Sequence, residues 1–259
     1  MPGLSVALHD RGEARVAILV VDNEQKLNIL GRDLIASLTQ EVRALAHDRR
    51  LRALVLRGAG EKAFIGGADI REMATLDRKS AREFIAALHG ACDSLRRLPV
   101  PVIARIEGYA LGAGLEIAAA CDLRIAGSRA KFGMPEVKVG IPSVIEAVLL
   151  PQLIGWGRTR RLLLTGEMID AAEAERWGLV EWCVPERELD ATVDAVLGAI
   201  LSCGPQALQL QKALIRDWEG VSPSAAVDLG IESFVRAFET DEPVRMMRAF
   251  LAAAAARRR

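Results

Sequence analysis

The sequence predicts an α/β fold that is followed by a helical C-terminal segment. In the first part of the chain, short apolar and β-branched runs alternate with amphipathic helical patterns. Chains that alternate in this way form strands joined by crossover helices. After Pro185 the strand pattern ends and only helical patterns follow. These observations predict an α/β body over residues 1–185 and a helical domain over residues 186–259.

The individual elements follow from the same patterns. Five short apolar runs are predicted as buried strands: Val16–Val21, Ala53–Arg57, Val102–Ile106, Leu123–Ala126 and Leu179–Val184. Two amphipathic stretches between the first three strands are predicted as helices: Gly31–Ala46 and Ser80–Leu98. Four helices are predicted in the last part of the chain: Glu186–Leu201, Pro205–Asp217, Ser222–Phe238 and Pro243–Ala256. We expect this last group to pack on the body or on a neighbouring subunit.

The composition is that of a globular protein. The chain has 259 residues, of which 51% are hydrophobic and 26% charged, so it can bury a core without disulfides or metals. Lys plus Arg and Asp plus Glu are both 34, which gives no general attraction for nucleic acid or an anionic membrane. The terminal run Arg257–Arg259 is predicted to be a solvated tail.

The cysteines and the apolar segments indicate a cytoplasmic protein. The four cysteines form no C-x-x-C pair and lie near no histidine at zinc-ligand spacing, so we expect reduced thiols and no metal site. The N-terminus lacks a basic region followed by an apolar stretch, which predicts no signal peptide. Since no window of 18 residues is free of charge, no membrane association is expected.

The segment Lys62–Ile70 is the first candidate for chemistry, because it follows a predicted strand and contains Gly66 and Gly67 in sequence. Adjacent glycines allow close approach of the backbone to a ligand. Asp69 is suited to cap the helical turn Ile70–Met73. An ordinary strand-to-helix turn without a ligand is the alternative.

The segment Gly108–Glu116 is the second candidate. It opens a helical run, and the N–H groups of a helix's first turn have no internal acceptors and carry the positive end of the dipole. Gly112 and Gly114 leave room for a ligand oxygen to reach the N–H of Ala113. Glu116 lies one turn further on the same face. Alternatively, the glycines serve only packing and Glu116 only complements the dipole.

A dinucleotide-binding loop is disfavoured for this second segment. The motif requires a third glycine, and residue 117 is isoleucine.

Two more glutamates follow. Glu136 comes 20 residues after Glu116, beyond one helix, one strand and a turn, so the chain can return to the same end of the sheet. Two carboxylates at one cavity suit general acid and base roles. Further on, Ser143 and Glu146 form Ser-x-x-Glu before an apolar run, which predicts a capping box in which Ser143 caps a helix.

Taken together, these segments resemble the enoyl-CoA hydratase/isomerase (crotonase) superfamily. The resemblance runs from about Val16 to the C-terminus, with its motifs in the family's order and spacing. The matching residues are Ala63-Phe64, Gly67-Ala68-Asp69-Ile70, Gly108 to Glu116, Cys121-Asp122, Phe132-Gly133-Met134-Pro135-Glu136, Leu164 to Glu167, Ala171 to Ala174 and Gly178-Leu179-Val180.

The resemblance implies an N-terminal spiral of ββα units and C-terminal helices that support a homotrimer or homohexamer. It implies that the backbone N–H groups of Ala68 and Ala113 form an oxyanion hole for a thioester carbonyl, and that Glu116 and Glu136 are the acid–base carboxylates. It also implies a CoA-binding path along Lys62, Ala63, Phe64, Gly66, Gly67, Asp69, Ile70, Gly112 and, from a neighbouring subunit, Phe250. No cofactor is expected, because coenzyme A is part of the substrate.

The implied reaction is syn hydration of a trans-2-enoyl-CoA to a 3-hydroxyacyl-CoA, because both carboxylates are present. A Δ3,Δ2-enoyl-CoA isomerase or another crotonase reaction through Glu136 alone is the alternative. A non-catalytic CoA- or RNA-binding relative is a further alternative, and the zero net charge without a clustered basic stripe disfavours RNA binding. The sequence departs from the family in two places. Ala113 replaces a common glycine, and Pro142–Leu150 replaces a glycine-rich stretch, which is expected to reshape the acyl pocket or the water site.

Overall fold

The computed structural model describes residues 3–256, and the predicted solvated tail Arg257–Arg259 lies outside the described residues. The described residues form ten strands, numbered in chain order: β1 (Gly3–Arg11), β2 (Ala14–Asp22), β3 (Leu51–Gly58), β4 (Ala63–Ile65), β5 (Val102–Ile106), β6 (Tyr109–Leu111), β7 (Leu123–Gly127), β8 (Lys131–Gly133), β9 (Met168–Asp170) and β10 (Trp182–Val184).

The helices follow the same order. They are α1 (Arg32–Leu45), α2 (Ile70–Met73), α3 (Arg78–Arg97), α4 (Ala113–Ala120), α5 (Leu150–Thr165), α6 (Ala171–Trp177), α7 (Glu186–Ser202), α8 (Pro205–Trp218), α9 (Pro223–Ala237) and α10 (Glu242–Ala256). Three short 3-10 helices add Glu24–Lys26, Pro135–Val139 and Ile145–Leu149.

Two mixed sheets organise the α/β part of the chain. The larger has the order β1-β2-β3-β5-β7-β10, with only β1 antiparallel to its neighbour. The smaller has the order β4-β6-β8-β9, in which β4, β6 and β8 are parallel and β9 is antiparallel. Successive strands β3 and β4, β5 and β6, and β7 and β8 therefore enter the two sheets alternately. Each pair is followed by a helical segment, so the chain advances by ββα units.

Apolar packing holds these layers together. One core lies between the two sheets and helices α1, α3 and α4, and it includes Leu38, Phe64, Leu88 and Phe132, all of them buried. A second core lies between the larger sheet and α7, where Leu189, Val193, Leu197 and Ile200 pack on the strands. The first helix after Pro185 therefore belongs to the body of the molecule, while the division of the chain at residue 185 stays a prediction.

Most predicted elements are present with shifts of one or two residues at their ends. The predicted strand Leu179–Val184 is shorter than expected, because only Trp182–Val184 pairs, and it pairs with β7. The prediction that Ser143 and Glu146 form a capping box is wrong. The 3-10 helix begins at Ile145, its N-cap is Val144, and no side chain caps it.

Between residues 3 and 256 no single helix is long and apolar enough to cross a membrane. The pair α7 and α8 reaches that length and composition only together, across a bend of 107°.

Candidate active site

The candidate site is built at the carboxyl ends of three neighbouring strands. Because β4, β6 and β8 are parallel and adjacent, their carboxyl ends lie at one edge of the smaller sheet. The segments that leave this edge are Gly66–Asp69, Gly112–Ala113 and Met134–Glu136. The N–H of Gly112 donates to the carbonyl of Gly133 at 2.9 Å, which fixes the second segment against the third.

These segments surround a cavity of about 250 Å³. Its lining is mostly apolar, and its titratable residues are Glu116, Glu136 and Lys138. A wider apolar groove of about 750 Å³ adjoins it between α2, α3 and the segment Val139–Val144. Both spaces share Ile70, Met73, Phe84, Ile85, Val139, Ile141, Pro142 and Val144. The site therefore combines a few polar groups with an extended apolar surface, as is typical of small-molecule sites.

The first free amide at the cavity is that of Ala68. Ala68 forms an isolated parallel bridge with Leu30, in which the Leu30 N–H donates to the Gly67 carbonyl at 2.9 Å and the Asp69 N–H donates to the Leu30 carbonyl at 2.8 Å. The Gly67 carbonyl and the Ala68 N–H belong to one trans peptide group and point in opposite directions, so the Ala68 N–H points away from Leu30. Among the residues that the structure describes, this N–H has no acceptor.

The second free amide is that of Ala113, the first residue of α4. Its N-cap, Gly112, has φ of 51° and ψ of −120°, a backbone conformation that glycine adopts without strain. The N–H of Ala113 also finds no acceptor within residues 3–256. As a first-turn donor at the positive end of the helix, it is suited to bind an oxygen that carries negative charge.

Gly112 and Gly114 have different structural roles. A Cβ atom on Gly112 would lie 2.4 Å from Glu136 Oε1, so the glycine makes room for that carboxylate. A Cβ atom on Gly114 would lie 2.0 Å from the carbonyl oxygen of Ile65, so this glycine allows α4 to pack on β4. The sequence left open whether these glycines make room at a ligand site or serve only packing. Packing explains Gly114, and access to the site explains Gly112.

Glu116 lies on α4 and is 4% exposed. Its Oε1 accepts a hydrogen bond from the Ala147 N–H at 3.3 Å. Burial, followed by the charge of Glu136, raises the pKa of Glu116 to about 8, and Glu146 contributes in the same direction. At neutral pH the free protein therefore holds a proton on Glu116.

Glu136 lies in the 3-10 helix Pro135–Val139 and is half-buried. Its Oε2 accepts a hydrogen bond from the Ser143 hydroxyl at 2.8 Å. Ser143, predicted as a helix cap, is thus a hydrogen-bond partner of a carboxylate at the cavity. The sequence signal for a capping box hid this contact, because Ser-x-x-Glu describes only local geometry.

Glu146 lies in the first turn of the 3-10 helix Ile145–Leu149, as the sequence indicates, but its side chain takes no part in a cap. It is buried, and its Oε1 lies 2.9 Å from His89 Nδ1 on α3. Nothing in the sequence connects these residues, which are 57 positions apart.

The other predicted ligand residues take several positions. Gly66, Gly67, Ile70 and Gly112 line the cavity. Ala63 and Phe64 are buried in β4, Lys62 is exposed before it, and Asp69 caps α2 by accepting from the Arg71 N–H at 2.9 Å. Phe250 lies on α10 and is 74% exposed, outside the cavity. Their roles toward coenzyme A stay predictions.

Two free amides and two carboxylates at one apolar cavity are typical of enzymes that stabilise an oxyanion while they transfer protons. A family model described as enoyl-CoA hydratase/isomerase matches residues 11–254 of this chain. The chain therefore belongs to the enoyl-CoA hydratase/isomerase (crotonase) superfamily, and the predicted fold is confirmed.

Individual relatives agree with this placement. The crotonyl-CoA hydratase of Syntrophomonas wolfei is 37% identical over 240 residues, which cover 92% of each chain. The short-chain-enoyl-CoA hydratase of Clostridium acetobutylicum is 36% identical with the same coverage. The crystal structure of an enoyl-CoA hydratase from Bacillus anthracis matches with a TM-score of 0.90 at 31% identity and covers 96% of each chain.

Proposed function

We propose that this protein is an enoyl-CoA hydratase that adds water reversibly to a trans-2-enoyl-CoA and forms a 3-hydroxyacyl-CoA. The observation that carries the proposal is the presence of Glu116 and Glu136 at one cavity with the free N–H groups of Ala68 and Ala113. The hydratases of Syntrophomonas wolfei and Clostridium acetobutylicum named above support the same reaction class.

The two amides supply electrostatic stabilisation. Attack of water at C3 moves negative charge onto the thioester oxygen, and donors fixed by the backbone bind that charge without reorganising. One donor of this kind contributes roughly 3–4 kcal/mol in comparable sites. The apolar lining strengthens the interaction because it keeps water away from the developing charge.

The two carboxylates supply the proton transfers. In hydration, Glu116 removes a proton from water as its oxygen bonds to C3, and Glu136 delivers a proton to C2. Dehydration runs the same steps in reverse, so Glu136 removes the C2 proton and Glu116 protonates the departing hydroxide. Both directions require one proton on the pair. In the free protein at neutral pH this proton resides on Glu116, which is the arrangement that starts dehydration.

A Δ3,Δ2-enoyl-CoA isomerase is the second candidate. Shuttling a proton between C2 and C4 needs only Glu136, and a protonated Glu116 would not interfere with it. The apolar residues of the segment Val139–Val144 line the same cavity as Glu116, where the attacking water of a hydratase must bind.

Exchange of each carboxylate for its amide separates the two candidates. Glu116→Gln keeps size and hydrogen bonding but removes the base, so a hydratase loses crotonyl-CoA hydration while any isomerase activity on a 3-enoyl-CoA partly survives. Glu136→Gln abolishes both. Absorbance of the conjugated thioester reports both reactions, and native melting curves are the control. A wild type that isomerises 3-enoyl-CoA but hydrates no 2-enoyl-CoA would overturn the primary proposal.

We also infer a homotrimer or a dimer of trimers. Helices α9 and α10 expose large apolar residues, among them Ile231, Phe234, Phe250 and Leu251, which a monomer would leave in water. Sedimentation at micromolar concentration tests this, and a monomer would contradict it.

We further propose that the substrate is an acyl-CoA and that the protein is cytoplasmic. The adjoining apolar groove of about 750 Å³ is larger than a crotonyl group.

A further inference from the structure

We propose that Glu146, together with His89, is a positioning residue for Glu116: this pair fixes the place of the Glu116 side chain and keeps the proton on it. The inference rests on the proposed function for its catalytic meaning, but it concerns a property of the free protein that can be measured without turnover. Glu146 does not line the cavity and acts through Glu116.

The backbone connects Glu146 directly to Glu116. Glu146 precedes Ala147, whose N–H donates to Glu116 Oε1. Glu146 follows Ile145, which has φ of 40°, a conformation that is rare and costly for a β-branched residue. Such strain persists only where surrounding contacts determine it. Here it turns the Glu146 side chain inward while the Ala147 N–H faces α4.

The environment of the Glu146 carboxylate is unusual. The side chain is 5% exposed, and Oε1 pairs with His89 Nδ1 on the exposed side. Oε2 is fully buried and accepts no hydrogen bond from an N–H or O–H group among the residues that the structure describes, and the Cys92 thiol is the polar group beside the carboxylate. A buried carboxylate with one oxygen unpaired is costly, so its retention calls for a compensating role.

The charged and titratable groups around Glu146 come from every neighbouring element. Glu116 on α4 and Glu136 lie on one side, and His89 and Cys92 on α3 lie on the other, where burial and then Glu146 raise the pKa of the Cys92 thiol. The arginines of α5 are engaged elsewhere: Arg158 with the Trp177 carbonyl, Arg160 with the Trp156 ring, and Arg161 with Glu167 and Glu173.

Like charges in a buried site decide which carboxylate is protonated. Two neighbouring buried carboxylates do not both ionise readily, so one retains a proton. Glu146 has an imidazole partner, whereas Glu116 has only backbone N–H groups. The pKa of Glu116 is raised first by burial, then by Glu136 and also by Glu146, so the proton resides on Glu116. In the direction of dehydration this keeps Glu116 ready to protonate the departing hydroxide.

The test is a titration of the free protein by NMR with isotope-labelled glutamate carboxyl carbons, in which the Glu116 signal is assigned by its loss in Glu116→Gln. Glu146→Gln keeps the acceptor for His89 but removes the charge. His89→Ala, at a largely exposed side chain, removes the hydrogen-bond partner of the Glu146 carboxylate. Glu107→Gln is the matched control, because Glu107 is a buried carboxylate paired with Arg105 outside the cavity.

We expect the Glu116 midpoint, about 8 in the wild type, to fall by about one pH unit in Glu146→Gln, a roughly tenfold loss of proton affinity. A smaller fall is expected in His89→Ala, and none in Glu107→Gln. An unchanged Glu116 midpoint in both variants would overturn the inference, and His89→Ala decides alone if Glu146→Gln does not fold. If the midpoint moves but the wild type hydrates no enoyl-CoA, the proposed function fails while this inference stands.

Discussion

The N–H of Ala113 can be removed without altering any catalytic side chain. Ala113 is the first residue of α4, a position at which proline is well tolerated because its fixed φ suits the helix start. Ala113→Pro should therefore fold, but it lacks the donor and should lose about 100- to 1000-fold in kcat. Ala113→Gly keeps the N–H and should retain nearly wild-type turnover. Equal losses in two variants with native melting curves would contradict the oxyanion-hole assignment.

Ser143 gives a second prediction at this scale. Its hydroxyl donates to Glu136, so Ser143→Ala should lower hydration about tenfold, equivalent to ~1.5 kcal/mol for a hydrogen bond to a charged group. Because the side chain caps no helix, the melting temperature should change little. Ser143→Thr keeps the hydroxyl and is the matched control. A large loss of stability with intact turnover would restore the capping role that the sequence suggested.

The difference between sequence and structure at Ser143 and Glu146 has a physical cause. Ser-x-x-Glu predicts a capping box only if the helix begins right after the serine. The positive φ of Ile145 delays the helix by one residue, which turns Ser143 toward Glu136 and Glu146 toward His89. That conformation results from tertiary contacts. By contrast, Ala113 and Glu116 were predictable, because helix geometry alone sets their relation.

At the scale of elements, the loop before α1 supports the segment that carries Ala68, one of the two amides of the proposed oxyanion hole. Asn28 is fully buried with φ of 55°, and its side chain donates to the carbonyls of Ala59 and Ala63 at 2.9 and 2.7 Å and accepts from the Asn23 N–H at 2.9 Å. These bonds fasten the start of β4 to the loop that carries Leu30, the bridge partner of Ala68.

Asn28→Ala should therefore lower the free energy of unfolding by about 2–4 kcal/mol, because it leaves buried carbonyls and an N–H unpaired. It should also lower kcat, since Ala68 loses its support. Asn23→Ala removes one donor to the Ile29 carbonyl at a half-buried position and is expected to cost less. Chemical denaturation of the three proteins measures the difference, and equal stability of Asn28→Ala and the wild type would refute this role.

Most long elements were predictable and most short ones were not, although the nine-residue β1 and the sixteen-residue α5 were also missed. Strands β2, β3, β5 and β7 have five or more residues of clear apolar pattern. Strands β4, β6, β8 and β9 have three residues each, too few to show a period of two, and they form because the larger sheet places them side by side. The edge that carries the site therefore became visible only in the tertiary structure, although its glycines marked the positions.

At the scale of the whole molecule, the site has a cost in stability. Glu116 has a pKa of about 8 in the folded protein against an ordinary value of 4.5. The folded state thus binds the proton of Glu116 more tightly than the unfolded state. Below pH 4.5 the group is protonated in both states and does not lower the free energy of unfolding. As pH rises toward 8, the unfolded state loses the proton first, and the free energy of unfolding falls. The difference amounts to a few kcal/mol, because each pH unit that separates the folded and unfolded pKa values contributes on the order of 1.4 kcal/mol.

Glu116→Gln removes this dependence. The variant should be more stable than the wild type at about pH 8, and the gap should close toward about pH 5, where Glu116 is protonated in the folded protein. Denaturation at both pH values and equal protein concentration measures the gap, with Glu107→Gln as the control. A gap that does not change with pH would show that Glu116 is not held protonated by its surroundings.

An assay of the wild-type protein from both sides of the equilibrium tests most directly whether the chain hydrates enoyl-CoA. Crotonyl-CoA and 3-hydroxybutyryl-CoA are incubated separately with the protein, and absorbance of the conjugated thioester is followed. We predict that the absorbance falls in the first mixture, rises in the second, and reaches the same final ratio in both. No change in either mixture, with binding of both thioesters demonstrated by calorimetry, would contradict the account.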